Sequence, residues 1–170
     1  MNTKQIINVF SMDPYMSQYK SYCIPSDFIE KIPSVNNTLI IVNSSPSTLK
    51  TGHWLCIFQT AKNIEFFDPL GLSYKFYAPY ISNFIESRGK TIIQNQRRVQ
   101  DLTTKTCGFH ALLFFMFRCR GYTYKQFLNI YVDLPQLNDF LVENILTSVF
   151  NIDFSALRIK CSKDVCEIVY

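Results

Sequence analysis

Cys107 and Gly108 stand after a polar stretch, 101–106, and before a long apolar run that centres on 112–117. A run of helical length that is apolar nearly all round predicts a buried helix, with Cys107 at or near its N-terminus. Backbone N–H groups at that end lack intrahelical partners, and the helix dipole favours negative charge there. Such a place suits a thiolate, the nucleophilic form of cysteine, whose pKa falls further beside an imidazolium. Gly108, having no Cβ, is expected to let a substrate backbone approach the sulfur. An arbitrary cysteine beside an apolar run is usually a small core hydrophobe. The weight therefore falls on whether the chain also holds the partners a nucleophile requires.

A thiol needs a general base, the base needs an orienting group, and the developing oxyanion needs donors. The chain has 2 histidines. His110 follows Cys107 by three residues and shares its helix face; no carboxylate partner is evident for it, and a histidine on a core helix reads as structural. His53 begins an apolar segment, 53–58, which a polar break, 59–63, separates from a second one, 64–68. That pattern predicts an antiparallel hairpin. With the turn centred near residue 60 or 61, paired numbers sum to about 121 or 122, and His53 faces Asp68 or its immediate neighbour with Cβ atoms about 5 Å apart. Pro69 and Gly71 end the second strand just after Asp68, so both polar groups are expected at one rim of the sheet. His53 is thus the preferred base and Asp68 its orienter. One oxyanion donor is the backbone N–H of Cys107. A second must come from a side-chain amide, for which Gln94, Gln96 and Gln100 are all open.

The elements that must position these groups are legible in outline. Short helices are predicted over 4–10 and 26–32, the latter capped by Ser26 or Asp27, with irregular structure otherwise before residue 38. A continuous β-branched run, 38–42, predicts a central strand. A helix over 78–88 has Pro79 in its first turn and Gly89 as its stop, and 91–95 reads as a strand. Thr123 caps a short helix over 124–131. Apolar residues at 137, 140, 141, 145, 146 and 149 follow a 3.6-residue period and predict an amphipathic helix over 134–150. Residues 151–170 hold a possible strand without clear pattern.

Composition narrows the class. Hydrophobic residues make up 48% and aromatics 15%, which excludes a disordered chain, and 170 residues with no internal repeat or linker predict a single domain over 1–170. The longest apolar runs are about half the roughly 20 residues that span a bilayer, so no membrane helix is expected, and residues 1–10 lack the shape of a signal peptide. The 6 cysteines are scattered and include no C-x-x-C pair; free thiols are expected, and neither a zinc site nor any cofactor. A net charge of +4 permits an acidic partner without requiring one.

Four elements in order carry a resemblance: Gly52-His53-Trp54, then Phe67-Asp68-Pro69-Leu70-Gly71, then Gln100, then Cys107-Gly108 seven residues on. This order of His, acid, Gln and Cys resembles the adenovirus-type maturation cysteine proteases, with relatives in virophages and Polinton-type mobile elements; Asp13-Pro14-Tyr15 also resembles that family's early segment. The likeness covers roughly residues 10–120. It implies an α+β papain-like fold of the adenain type, with a small antiparallel sheet packed against helices that include the nucleophile helix. It implies peptide hydrolysis by Cys107, His53 and Asp68, selects Gln100 as the oxyanion amide, and implies a narrow cleft floored by Gly108 and walled by Trp54. The expected substrates are capsid or other structural precursor polypeptides, cleaved by a monomer in the virion or an intracellular virus factory, without a membrane partner. Two departures stand out. The adenoviral enzymes carry Glu where this chain has Asp68. The disulfide through which a viral peptide activates them has no counterpart here, and Arg97-Arg98 are weak grounds for DNA stimulation. Rival readings are a protease of ubiquitin-like modifiers, a cysteine-dependent acyltransferase, and an inactive binding module.

Overall fold

The structure, a computed structural model, describes residues 1–150, and the backbone at 160–162 and 165–167; the other residues from 151 onward lie outside the described set. The architecture is α+β. Five strands, β1 (Lys20–Pro25), β2 (Thr38–Asn43), β3 (Trp54–Gln59), β4 (Asn63–Phe67) and β5 (Thr91–Gln94), form one sheet in that spatial order. β2, β3 and β4 pair antiparallel, as expected for the hairpin. The edges differ from expectation. β1 pairs parallel with β2 and β5 parallel with β4, so the sheet is mixed. β1 was not anticipated at all, because its segment Lys-Ser-Tyr-Cys-Ile-Pro alternates weakly and ends on proline, which only an edge strand accommodates readily.

Both faces of the sheet are covered, and this explains the unbroken β-branched run of β2. On one face Leu39, Ile41, Cys56, Phe58 and Phe67 meet α3 (Cys107–Cys119), together with α1 (Thr3–Met12), α4 (Tyr124–Leu128) and α5 (Pro135–Phe150). On the other, Ile40, Val42, Ile57 and Phe66 meet α2 (Tyr80–Ser87) and a 3-10 segment, Ser26–Lys31. α3 is buried on nearly every side, as its composition requires. Its C-terminal end is tied to the sheet by Arg118, whose Nε and Nη2 donate to Glu65 at 2.6 and 2.8 Å. Asp13, buried, accepts from the Tyr15 and Met16 N–H groups and from Arg120, so the Asp-Pro-Tyr segment locks α1 to the far end of α3.

Several local expectations change. The 3-10 segment starts after Pro25, and neither Ser26 nor Asp27 caps it; the Asp27 carboxylate instead accepts from the backbone N–H and hydroxyl of Ser47. α2 begins at Tyr80, with Pro79 at the capping position. Thr123 does cap α4, in a reciprocal box with Gln126. α5 buries Asn138, Asp139, Val142, Leu146 and Phe150, and leaves Leu137, Phe140 and Val149 at least half exposed (50%, 64% and 52%). Its buried stripe is rotated from the apolar one, because two polar residues at its start bond inward and outweigh hydrophobic patterning. The backbone at Lys160–Ser162 and Val165–Glu167 forms a two-stranded antiparallel ribbon, β6 and β7. The four cysteines whose side chains are described, 23, 56, 107 and 119, are free thiols. No helix of the described residues is long and apolar enough to cross a membrane.

Candidate active site

Cys107 is the first residue of α3 and is 8% exposed. The preceding Thr106 adopts the capping position but its hydroxyl does not cap; Phe109 and His110 N–H groups bond its carbonyl instead. The Cys107 N–H is among those a helix start leaves without an intrahelical acceptor.

His53 lies just ahead of β3. Its backbone N–H donates to Ser44 Oγ at 2.9 Å and its carbonyl accepts from Ser44 N–H at 2.8 Å, which fixes the ring's origin at the sheet rim. His53 Nε2 is 2.7 Å from Asp68 Oδ1, and the ring also hydrogen-bonds the Cys107 sulfur. With Nε2 engaged by the carboxylate, Nδ1 is the nitrogen left to face sulfur. The hairpin register differs by one step or two from that expected: Cys56 pairs with Phe67 and Ile57 with Phe66, so one step on Asp68 lies opposite Leu55, and His53 reaches it diagonally. A carboxylate and an imidazole span that diagonal where shorter side chains would not.

Asp68 is fully buried and is held by more than His53. Its Oδ1 accepts from Leu70 N–H at 2.8 Å; its Oδ2 accepts from Leu72 N–H at 3.0 Å and from the Tyr77 hydroxyl at 2.7 Å. Asn95 grips the same residue through its backbone, accepting from Asp68 N–H and donating to Asp68 O. Tyr77 and Asn95 were not anticipated. They sit 9 and 27 residues away, Tyr77 at the end of a short 3-10 segment, Tyr74–Tyr77, and Asn95 just past β5, where no periodicity marks them; Asn95 ends the predicted strand 91–95 and offers only that as a signal.

The electrostatics follow. Burial alone would lower the His53 pKa, but hydrogen bonds to Asp68 and Cys107 and their charges prevail and raise it to about 9. Burial alone would raise the Cys107 pKa, but the His53 hydrogen bond and charge, with the Trp54 backbone N–H, bring it below the ordinary thiol value. Opposite shifts in the two partners are those of a thiolate–imidazolium pair.

His53, Cys107 and Gln100 line one open cleft of about 620 Å³. Geometry separates the three glutamines. Gln94 Oε1 accepts from Tyr74 N–H, Gln96 is exposed, and only Gln100 lies in the cleft. Its backbone N–H donates to Pro69 O at 3.0 Å, which joins the oxyanion side to the loop after Asp68. That junction needs Gly71: its φ is +74°, and a Cβ there would lie 2.7 Å from Arg97 C and Arg98 N, so only glycine admits both the conformation and the approach. Gln100 Nε2 donates to Thr104 O at 3.2 Å. An amide nitrogen carries two hydrogens, so one can fix the side chain while the other points to a substrate.

Trp54 and Gly108 adjoin the nucleophile, but Gly108 is not an open floor. A Cβ on it would lie 2.9 Å from Met1 Cβ and 3.3 Å from Trp54 Cδ1. Trp54 Nε1 donates to Met1 O at 3.0 Å. The Asn2–Gln5 capping box starts α1 and its buried Ile6 and Val9 anchor it, so Met1 is set across the cleft beside the glycine. His110, for which no carboxylate was evident in the sequence, has one: Nε2 is 2.8 Å from Asp139 Oδ1 and Nδ1 is 3.0 Å from the Tyr131 hydroxyl. It is fully buried, and burial lowers its pKa despite Asp139. A neutral imidazole with both nitrogens occupied is a structural residue and not a base.

No protein-family model and no curated protein matches this chain. Among solved structures it is similar to the crystal structure of the ASFV pS273R protease, at 20% identity and a TM-score of 0.43 over 62% of this chain and 42% of that one. It is also similar to the SUMO protease Ulp1 with its catalytic cysteine oxidized to a sulfinic acid, at 13% identity and a TM-score of 0.36 over 88% of this chain and 68% of that one. The match thus spans 42% of the ASFV protein's length.

Proposed function

We propose that this chain is a cysteine endopeptidase of the adenovirus type, acting on capsid or other structural precursors during maturation of a viral or mobile-element particle. The observation that carries the chemistry is the chain of contacts from buried Asp68 through His53 to the Cys107 sulfur at a helix start, opening on a cleft. The substrate assignment rests on the order of motifs in the sequence, and with it the virion and virus factory as the place of action.

The geometry supports one sequence of steps. The Cys107 thiolate attacks the scissile carbonyl carbon, and the oxyanion that forms accepts from the Cys107 N–H and the free Gln100 Nε2–H. As the C–N bond breaks, the His53 imidazolium gives its proton to the departing amine. The now neutral imidazole takes a proton from water, which attacks the thioester carbon; the C–S bond breaks, the acid leaves, and sulfur and imidazolium regain their starting forms. Asp68 holds the ring by Nε2 and stabilises its positive form throughout.

The test is incubation of the purified protein with the precursor polypeptides encoded beside its gene, with mass spectrometry of new termini and Cys107→Ala as control. Defined cleavage by the wild type alone is expected. Cleavage of a ubiquitin-like modifier fusion but of no precursor would replace the substrate assignment; acyl transfer to an acceptor side chain without hydrolysis would replace the reaction.

A further inference from the structure

Asp139, on α5, is 5% exposed and lies outside every motif read above. Its carboxylate is the meeting point of the segment that runs from Gln100 into α3. Oδ2 accepts from Asp101 N–H at 3.1 Å and from Thr104 Oγ1 at 2.8 Å. Oδ1 accepts from Thr106 Oγ1 at 2.7 Å and from His110 Nε2 at 2.8 Å. The first two donors belong to the turn that follows Gln100: Asp101 is its neighbour in the chain, and Thr104 supplies the carbonyl that Gln100 Nε2 donates to. The Gln100 Oε1 atom is buried without a hydrogen-bond partner, so the amide is oriented from its nitrogen end alone. Whatever sets Thr104 therefore sets the amide.

We propose that Asp139 is a positioning residue for the oxyanion side of the site, acting through Thr104 and Asp101 on the Gln100 amide. The inference rests on the cysteine-protease reading. It gives α5 a part in the reaction, and explains why α5 turns a carboxylate inward while Leu137 and Phe140 stay outside. Burial would favour the protonated acid, but the hydrogen bonds from His110, Thr106 and Thr104 keep the Asp139 pKa below its ordinary value. An ionised carboxylate accepts from all four donors at once; an asparagine in its place would offer one oxygen and turn an NH₂ group toward groups that donate.

Two reactions of the same sulfur separate positioning from general damage. Iodoacetamide alkylation consumes the thiolate and forms no oxyanion. Acylation by p-nitrophenyl acetate passes through a tetrahedral oxyanion before p-nitrophenolate leaves. In the wild type both are expected. In Asp139→Asn the ratio of acylation rate to alkylation rate is expected to fall on the order of 10-fold, less than the roughly 10²–10³ for outright loss of one oxyanion donor. In a Gln100→Ala background the same substitution is expected to change the ratio less than about 2-fold, since coupled residues are not additive. Thr104→Val, which removes one donor at a half-buried position, is expected to lower the ratio several-fold and serves if Asp139→Asn does not fold. An unchanged ratio, a parallel fall of both rates, or an undiminished effect in the Gln100→Ala background would overturn the proposal. A wild-type protein inert in both reactions would overturn the protease reading itself, and this inference with it.

Discussion

Asp68 Oδ1 lies 2.7 Å from His53 Nε2 although the two residues are two positions out of cross-strand register. The contact is held by what surrounds the carboxylate. Leu70 N–H, Leu72 N–H and the Tyr77 hydroxyl converge on it, and Asn95 fixes its backbone from the other side.

Asp68→Asn is expected to lower kcat by roughly 10²-fold or more, because the neutral amide no longer stabilises an imidazolium. Tyr77→Phe leaves three donors on the carboxylate and is expected to cost about 10-fold, the low end of the scale for one hydrogen bond to a charged group. Steady-state kinetics on a cleaved precursor reads both; a Tyr77→Phe protein as impaired as Asp68→Asn would mean that the hydroxyl does more than orient the acid.

The pH dependence follows from the two opposite shifts. The thiolate is present above the lowered pKa of Cys107 and is lost as pH falls through it. The imidazolium is present below the His53 pKa of about 9 and is lost as pH rises through it. A profile of kcat/KM against pH is therefore expected to be bell-shaped with its alkaline limb near 9. Asp68→Asn removes the main raising influence and is expected to move that limb to lower pH; an unmoved limb would assign it to another group.

Cys107→Ala and His53→Ala are expected to abolish turnover with little change in Tm. His110→Ala is expected to do something different: it takes one of four donors from the Asp139 carboxylate, leaves the Tyr131 hydroxyl without its ring partner and opens a cavity, a loss of about 2–4 kcal/mol in stability by chemical denaturation. A His110→Ala protein of wild-type stability would contradict the hydrogen-bonded role given to that ring.

Gly71→Ala is expected to lower stability by roughly 2 kcal/mol or more. The left-handed conformation alone costs a residue with a Cβ about 1–2 kcal/mol, and the backbone of Arg97 and Arg98 lies in the way. Because this contact joins the Asp68 loop to the strand-to-helix segment bearing Gln100, catalytic loss is expected alongside the fall in Tm. Calorimetry and kinetics on the same preparation check both; unchanged Tm would mean that the loops part without cost.

Local features of the chain determined a good deal. A polar stretch, a cysteine and an all-apolar run suffice to start a buried helix at Cys107, since burial on every side leaves no other use for such residues. The period of the 53–68 segment sufficed to bring His53 and Asp68 to one rim, because a two-residue slip of register leaves side chains on the same face. Only the tertiary structure decided the rest. β1 and β5 join the sheet by parallel pairing, which depends on crossovers and leaves no local trace. Residue types and spacing leave Gln94, Gln96 and Gln100 open, and the order of motifs picks Gln100 by resemblance alone; the physical ground, the Pro69 carbonyl that holds it at the cleft, belongs to the fold. Met1 against Gly108, Asn95 around Asp68, and Asp139 beneath residues 101–110 are contacts across long stretches of chain. A polar side chain reveals such a role only when folding has removed water and left the partner as its sole source of hydrogen bonds.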